Sequence, residues 1–148
     1  MEALARARHV LHRVTRMTPW ERRGPLHVLV LDDDVDVGQA ICDVLGQERH
    51  VARAVQDLAT AWQAIRHGPP DVLVADYHIG MTSSGLLLAT VRQNFPGVRR
   101  LLVSSSPPRE WSYLVDRGLV HGTLMKRFVA HELIELVEAL SIEVKGMG

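Results

Sequence analysis

Short apolar runs, each ending in a polar residue and each followed by a helical pattern, constrain this chain more than any other feature. His27-Val28-Leu29-Val30-Leu31 ends at Asp32-Asp33, and Val72-Leu73-Val74-Ala75 ends at Asp76. Two later runs, about 100–103 and 122–125, end at Ser104 and Lys126. Runs this short and this apolar read as strands buried on both faces of a parallel sheet. In an open α/β sheet the carboxyl ends of parallel strands share one rim, and ligands bind there. Three carboxylates, a serine and a lysine are therefore expected on one rim. Three carboxylates repel one another unless a cation lies between them. Hard divalent ions take oxygen ligands, and Mg²⁺ typically binds through a few carboxylates plus phosphate oxygens. The pattern thus points to a Mg²⁺ and phosphoryl site.

The rest of the chain fits the same alternation. A helix carries Ile41, Val44 and Leu45, and a short strand falls near 50–55. A helix near 58–67 is ended by Gly68-Pro69-Pro70. A loop of small residues runs from Asp76 to Ser84, and a helix spans about 85–94 before Pro96-Gly97. Further helices are expected at about Pro108–Arg117 and 129–143. Five βα units with short connections predict one doubly wound α/β domain, with right-handed crossovers and helices on both faces. Residues 26–143 form that domain, with 144–148 as a tail. Residues 1–25 form an extension: Leu4, Leu11, Val14 and Met17 share one face of a helix over 3–17, and Pro19 and Gly24-Pro25 mark a linker.

Charge narrows the function classes. Residues 1–25 hold six arginines against two glutamates, a net of +4, and the remainder holds eleven Lys/Arg against fifteen Asp/Glu, a net of −4. An acidic body argues against direct nucleic-acid binding. No apolar stretch approaches the roughly 20 residues of a membrane span, and the N-terminus lacks the apolar segment of a secretory signal. A cytoplasmic protein with no membrane contact is expected. The single cysteine, Cys42, falls on a helix and reads as a buried structural thiol. His9 and His12, three apart, read as part of a solvated helical face. Walker-type and dinucleotide glycine loops are absent.

The strand-end residues are more than caps and turns. Four acids in the five residues 32–36 exceed what one helix N-cap needs, since Asp34 or Asp36 alone could cap the next helix. Asp76 closes a strand instead of starting a helix. Ser104 offers a hydroxyl to an anion. Lys126 is a compact cation that can pair with a carboxylate or a phosphoryl oxygen.

With these residues in place, residues 26–142 resemble the receiver domain of two-component response regulators. Val28–Asp33 is similar to the family's first strand with its acidic pair. Asp76, in Val72-Leu-Val-Ala-Asp-Tyr-His78, matches the phosphoacceptor. Ser104 matches the family's Thr/Ser and Ser105 its neighbouring small residue. Lys126, before Phe128, matches the lysine of the Lys-Pro-Phe signature. The resemblance implies the flavodoxin-like receiver fold with strand order 2-1-3-4-5. It implies that Asp33, Asp76 and the backbone carbonyl of His78 bind Mg²⁺, with Asp32 helping through water. Asp76 then takes a phosphoryl group from a histidine kinase or phosphotransfer protein, and Lys126 and Ser104 hold the phosphoryl oxygens. The expected protein is a stand-alone phosphorelay switch with no turnover of a separate substrate, acting through a downstream protein partner or a homodimer.

Three departures from the family carry expectations of their own. Arg127 stands where proline usually follows the lysine, usually after a cis bond; here either the bond is trans or the loop tolerates strain. Thr123 replaces the Tyr or Phe that swings inward on activation. The loop Gly80–Gly85 is about one residue longer than usual and lacks the family's proline. Two other readings stand beside this one: a receiver-like module that binds partners without phosphorylation, and a small aspartate-nucleophile phosphatase. Asp32-x-Asp34 fits the phosphatase superficially, but Asp36 occupies a position where Thr or Val is expected.

Overall fold

The computed structural model describes residues 25–147, with side chains described to Ser141. The expected helix over 3–17, with His9 and His12, lies outside the described residues. Among the described residues, seven strands and five α-helices follow in chain order: β1 His27–Leu31, α1 Val35–Gln47, β2 Val51–Val55, α2 Leu58–His67, β3 Val72–Asp76, β4 His78–Ile79, β5 Thr82–Ser83, α3 Gly85–Asn94, β6 Arg99–Ser104, α4 Ser112–Asp116, β7 Gly122–Met125 and α5 Ala130–Met147. Five strands form a parallel sheet in the order β2-β1-β3-β6-β7, the expected 2-1-3-4-5 with a hairpin, β4-β5, inserted.

Strand alternation explains why the central runs are uniformly apolar. Leu29, Leu31, Leu73, Ala75 and Leu102 point to one face, where Ile65 of α2, Leu88 and Val91 of α3 and Leu114 of α4 cover them. Val28, Val30, Val72, Val74, Leu101 and Val103 point to the other, under Ile41 and Leu45 of α1 and Leu133 and Val137 of α5. Each residue of a two-sided strand faces a helix layer, which favours apolar side chains along the run; Arg100, buried near the start of β6, is the exception, with its guanidinium donating to the Leu119 and Val98 carbonyls. Cys42 is buried in the second layer, as expected.

Helix starts follow local chemistry. Asp34 caps α1 by accepting from the N–H groups of Asp36 and Val37. Asp57 caps α2 by accepting from the N–H and hydroxyl of Thr60. Two expected helices differ in extent. The segment Pro108–Arg117 splits into a 3₁₀ turn, Pro108–Glu110, and the short α4. Trp111 interrupts it: its ring is buried, and its indole N–H donates to the Ser106 carbonyl at 3.1 Å, which draws the backbone out of helical geometry. The last helix continues past 143 to Met147, through residues expected as a tail. No proline follows Ala130, and the first glycine after it is Gly146, so no breaker stops the helix earlier.

A half-buried histidine gives the domain an acid limit. The His121 Nδ1 accepts from the Arg100 N–H at 3.0 Å, which requires a neutral ring. Burial, with Arg100 and Arg99 adding repulsion, holds its pKa down at about 4. The folded state therefore binds this proton more weakly than the unfolded chain does. Stability is lost as pH falls below about 6.5 toward 4. Asp76, whose pKa is raised, acts in the opposite sense at the acid end of that window. The expected cost at pH 5 is on the order of 1 kcal/mol after allowance for solvent screening. His121→Asn, which keeps an acceptor without the titration, is expected to flatten the urea-unfolding free energy between pH 7 and 5. An unchanged slope would contradict this.

Candidate functional site

The carboxyl ends of β1, β3, β6 and β7 bring the acidic pair, Asp76, Ser104 and Lys126 to one rim. Parallel registers enforce this: Leu31 pairs with Ala75, Asp76 with Val103, and Ser104 with Met125. Asp76 and Ser104 thus close adjacent strands. Lys126 follows β7 directly, and its N–H donates to the Ser104 carbonyl at 2.8 Å.

The Lys126 ammonium offsets part of the negative charge on this rim. The Lys126 Nζ lies 2.9 Å from the Asp76 Oδ2 and 3.0 Å from the Asp32 Oδ2. Asp32 is 2% exposed and Asp76 8%, so neither carboxylate has water enough to carry its charge alone. Burial pushes the Asp76 pKa up, against the pull of Lys126. For Lys126 burial works downward, but its hydrogen bonds to Asp76 and Asp32 outweigh it and raise the pKa. An ammonium bonded to two carboxylates stays protonated. The other Asp32 oxygen, Oδ1, accepts from the Asp34 N–H at 2.9 Å. Asp33 is exposed, and its Oδ2 accepts from the Gly80 N–H at 2.8 Å.

Asp32, Asp33 and Asp76 each offer an oxygen such that the three atoms lie within 4.8 Å of one another. Three hard oxygen donors at that spacing fit the donor set of Mg²⁺. Two of the three residues are those that Lys126 neutralises. A metal and the ammonium would therefore share these carboxylates, or Lys126 would turn toward another anion. His78 stands at the start of the β4-β5 hairpin beside Asp76, and its exposed imidazole pairs with Glu110 at 3.1 Å. Ser104 is buried, and its Oγ accepts from the Ser106 N–H at 2.9 Å, which leaves the hydroxyl hydrogen to donate. Ser105 is exposed on the same turn.

The three departures acquire geometry. No described peptide bond is cis, so the Lys126–Arg127 bond is trans, and Arg127 takes φ +73° instead. A left-handed non-glycine residue costs on the order of 1–2 kcal/mol. That conformation turns the chain after Lys126, whose ammonium still reaches Asp32 and Asp76. Thr123 is half-buried on β7, paired with Leu102. The aromatic residues near the site lie elsewhere. The Tyr77 hydroxyl meets that of Tyr113 at 3.1 Å, and their rings pack edge to face at 6.5 Å. Trp111 is buried, and Tyr113 is 37% exposed with its hydroxyl engaged. The longer loop is the hairpin itself, with Ile79 paired to Thr82 across Gly80-Met81. Its two-residue strands carry no periodicity that the sequence could display.

The fold recurs in proteins of known structure. No protein-family model matches the chain. It is 30% identical over 122 residues to a sensor histidine kinase, TmoS, of Ectopseudomonas mendocina; the match covers 80% of this chain and 12% of that protein. A CheY-like response regulator receiver domain from Methanospirillum hungatei superposes with TM-score 0.79 at 17% identity, covering 84% of this chain and 99% of the other. The receiver domain of NtrX from Brucella abortus superposes with TM-score 0.72 at 24% identity, covering 77% and 97%. Against a longer NtrX structure the chain spans 28% of that protein. Among the described residues, no helix is long and apolar enough to cross a membrane.

Proposed function

Starting from a chain with the response-regulator receiver fold, we propose that it is a phosphoaccepting switch of a two-component phosphorelay. Asp76 is the acceptor. The observation that carries this reading is the Lys126 ammonium bridging Asp76 and Asp32, with Asp33 within reach of both carboxylates. Asp32, Asp33 and Asp76, with the His78 carbonyl, hold Mg²⁺. The ion, when bound, offsets charge on the phosphoryl oxygens. Asp76 attacks the phosphorus of a phosphohistidine on a histidine kinase or phosphotransfer protein. A bond from phosphorus to the Asp76 oxygen forms as the bond to the imidazole nitrogen breaks. Lys126 releases the Asp76 Oδ2 and pairs with a phosphoryl oxygen, and the Ser104 hydroxyl donates to another. Phosphoryl transfer needs positioning and charge stabilisation more than covalent chemistry from the protein, and these residues supply both. The output is a changed contact with a downstream protein or a second copy, and no separate substrate is turned over.

The test is incubation with a small acyl phosphate, with and without Mg²⁺, followed by intact mass. The expected result is uptake of one phosphoryl group, dependent on Mg²⁺. Continuous hydrolysis of small phosphoesters would mark a phosphatase instead. No uptake under any condition would mark a module that only binds partners.

A further inference from the structure

We infer that Gly80 is a positioning residue for the metal site, because its N–H holds Asp33, the one exposed carboxylate of the three, in place. The inference rests on the Mg²⁺ reading above and assigns a task to the inserted β4-β5 hairpin. Asp32 is fixed by the Asp34 N–H and by Lys126, and Asp76 by Lys126. Asp33 is exposed and lacks that support. Its hydrogen bond among the described residues is the one from Gly80, 47 positions away in sequence, at 2.8 Å. A surface aspartate free to change rotamer must lose that freedom when it binds a metal. An aspartate already held by a backbone donor has lost it in advance.

The hairpin is built to deliver that donor. Ile79 pairs with Thr82, so Gly80-Met81 is a two-residue turn. Tight hairpin turns of this length favour a positive φ at the first central residue, and Gly80 sits at φ +60°. Space is not what selects glycine there: a Cβ at Gly80 would meet nothing within 4 Å. Conformation selects it. A proline in its place would have no N–H to give and could not adopt that φ. The loop's extra length and its missing proline thus have one consequence, a backbone N–H aimed at Asp33. The Met81 side chain is fully exposed and contributes no packing that would otherwise explain the turn.

Gly80→Ala introduces a cost at positive φ that a hairpin of two residue pairs cannot resist. The turn is expected to open locally and release Asp33. Gly118 provides a matched control. It lies at φ +68° behind α4, where a Cβ would make only ordinary contact with Arg92. Gly118→Ala carries the same kind of backbone cost away from the acids.

The experiment is calorimetric titration of the full chain with MgCl₂ alone, with no phosphodonor. Gly80→Ala is expected to raise the Mg²⁺ Kd about 10-fold, the lower range for loss of a residue that orients a metal ligand. Gly118→Ala is expected to leave it unchanged. Deletion of Met81, which removes the turn without touching a packed side chain, should match Gly80→Ala and serves if that variant does not fold. Wild-type affinities in both Gly80→Ala and the Met81 deletion would overturn the inference. So would equal weakening by Gly118→Ala. No Mg²⁺ binding by the wild type would overturn the metal reading itself, a different outcome.

Discussion

An Asp76→Asn variant takes up no phosphoryl group from an acyl phosphate, while its fold is retained. The amide has nearly the shape of the carboxylate, and its oxygen can still accept from Lys126. It lacks the anionic oxygen that attacks phosphorus. Burial already opposes a charge at Asp76, so its removal relieves a desolvation cost and offsets the weaker bond to Lys126. The expected stability change is therefore small, within about 1 kcal/mol. Labelling is expected to fall to the level of unreacted protein. Intact mass and a urea-unfolding curve on the same preparation check both halves. Undiminished labelling would move the acceptor to another residue.

Lys126→Ala is expected to have the largest effect on stability. It strips the cation from two carboxylates, one 2% exposed and one 8%. Removing one partner of a buried pair leaves an uncompensated charge, typically at 3–5 kcal/mol. Lys126 is partly exposed here, and Asp76 can take up a proton, so about 1–3 kcal/mol is expected without metal. The response to Mg²⁺ moves in the other direction. In the wild type, ion at roughly ten times its Kd adds about 1.4 kcal/mol. In the variant no ammonium competes for the Asp32 and Asp76 Oδ2 atoms, so the ion binds more tightly and the gain is larger. Phosphoryl uptake still falls, because the cation that would follow the phosphoryl oxygens is gone. Thermal unfolding across a Mg²⁺ series separates these effects. A smaller Mg²⁺ gain in Lys126→Ala than in the wild type would contradict the shared-carboxylate arrangement.

The parts of this architecture legible in the sequence are those that follow from local periodicity. Val28–Leu31 and Leu73–Ala75 are apolar at every position because both faces of the sheet are covered, and their ends are marked by the first acids that no helix layer covers. Parallel pairing then places Asp32, Asp76, Ser104 and Lys126 on one rim without further information. What could not be read depends on distant partners or on single backbone angles. The Gly80 donor acts on an acid 47 residues earlier, from a hairpin with strands of two residues. The alternatives left open at Arg127, a trans bond or strain, meet in one residue at φ +73° after a trans bond. The helix expected over Pro108–Arg117 breaks because Trp111 gives its indole N–H to Ser106, a tertiary demand that outweighs helical propensity. Tyr77 and Tyr113 are 36 residues apart, and only the fold shows that their hydroxyls meet.

In the proposed function Asp76 accepts a phosphoryl group in a Mg²⁺-dependent reaction. Reductive trapping with borohydride converts an acyl phosphate on aspartate to homoserine, and peptide mapping then locates it. After incubation with an acyl phosphate and Mg²⁺, homoserine is expected at position 76 and at no other acid, and not at all when Mg²⁺ is chelated. Homoserine at Asp32 or Asp33, or equal trapping at position 76 without Mg²⁺, would contradict the account.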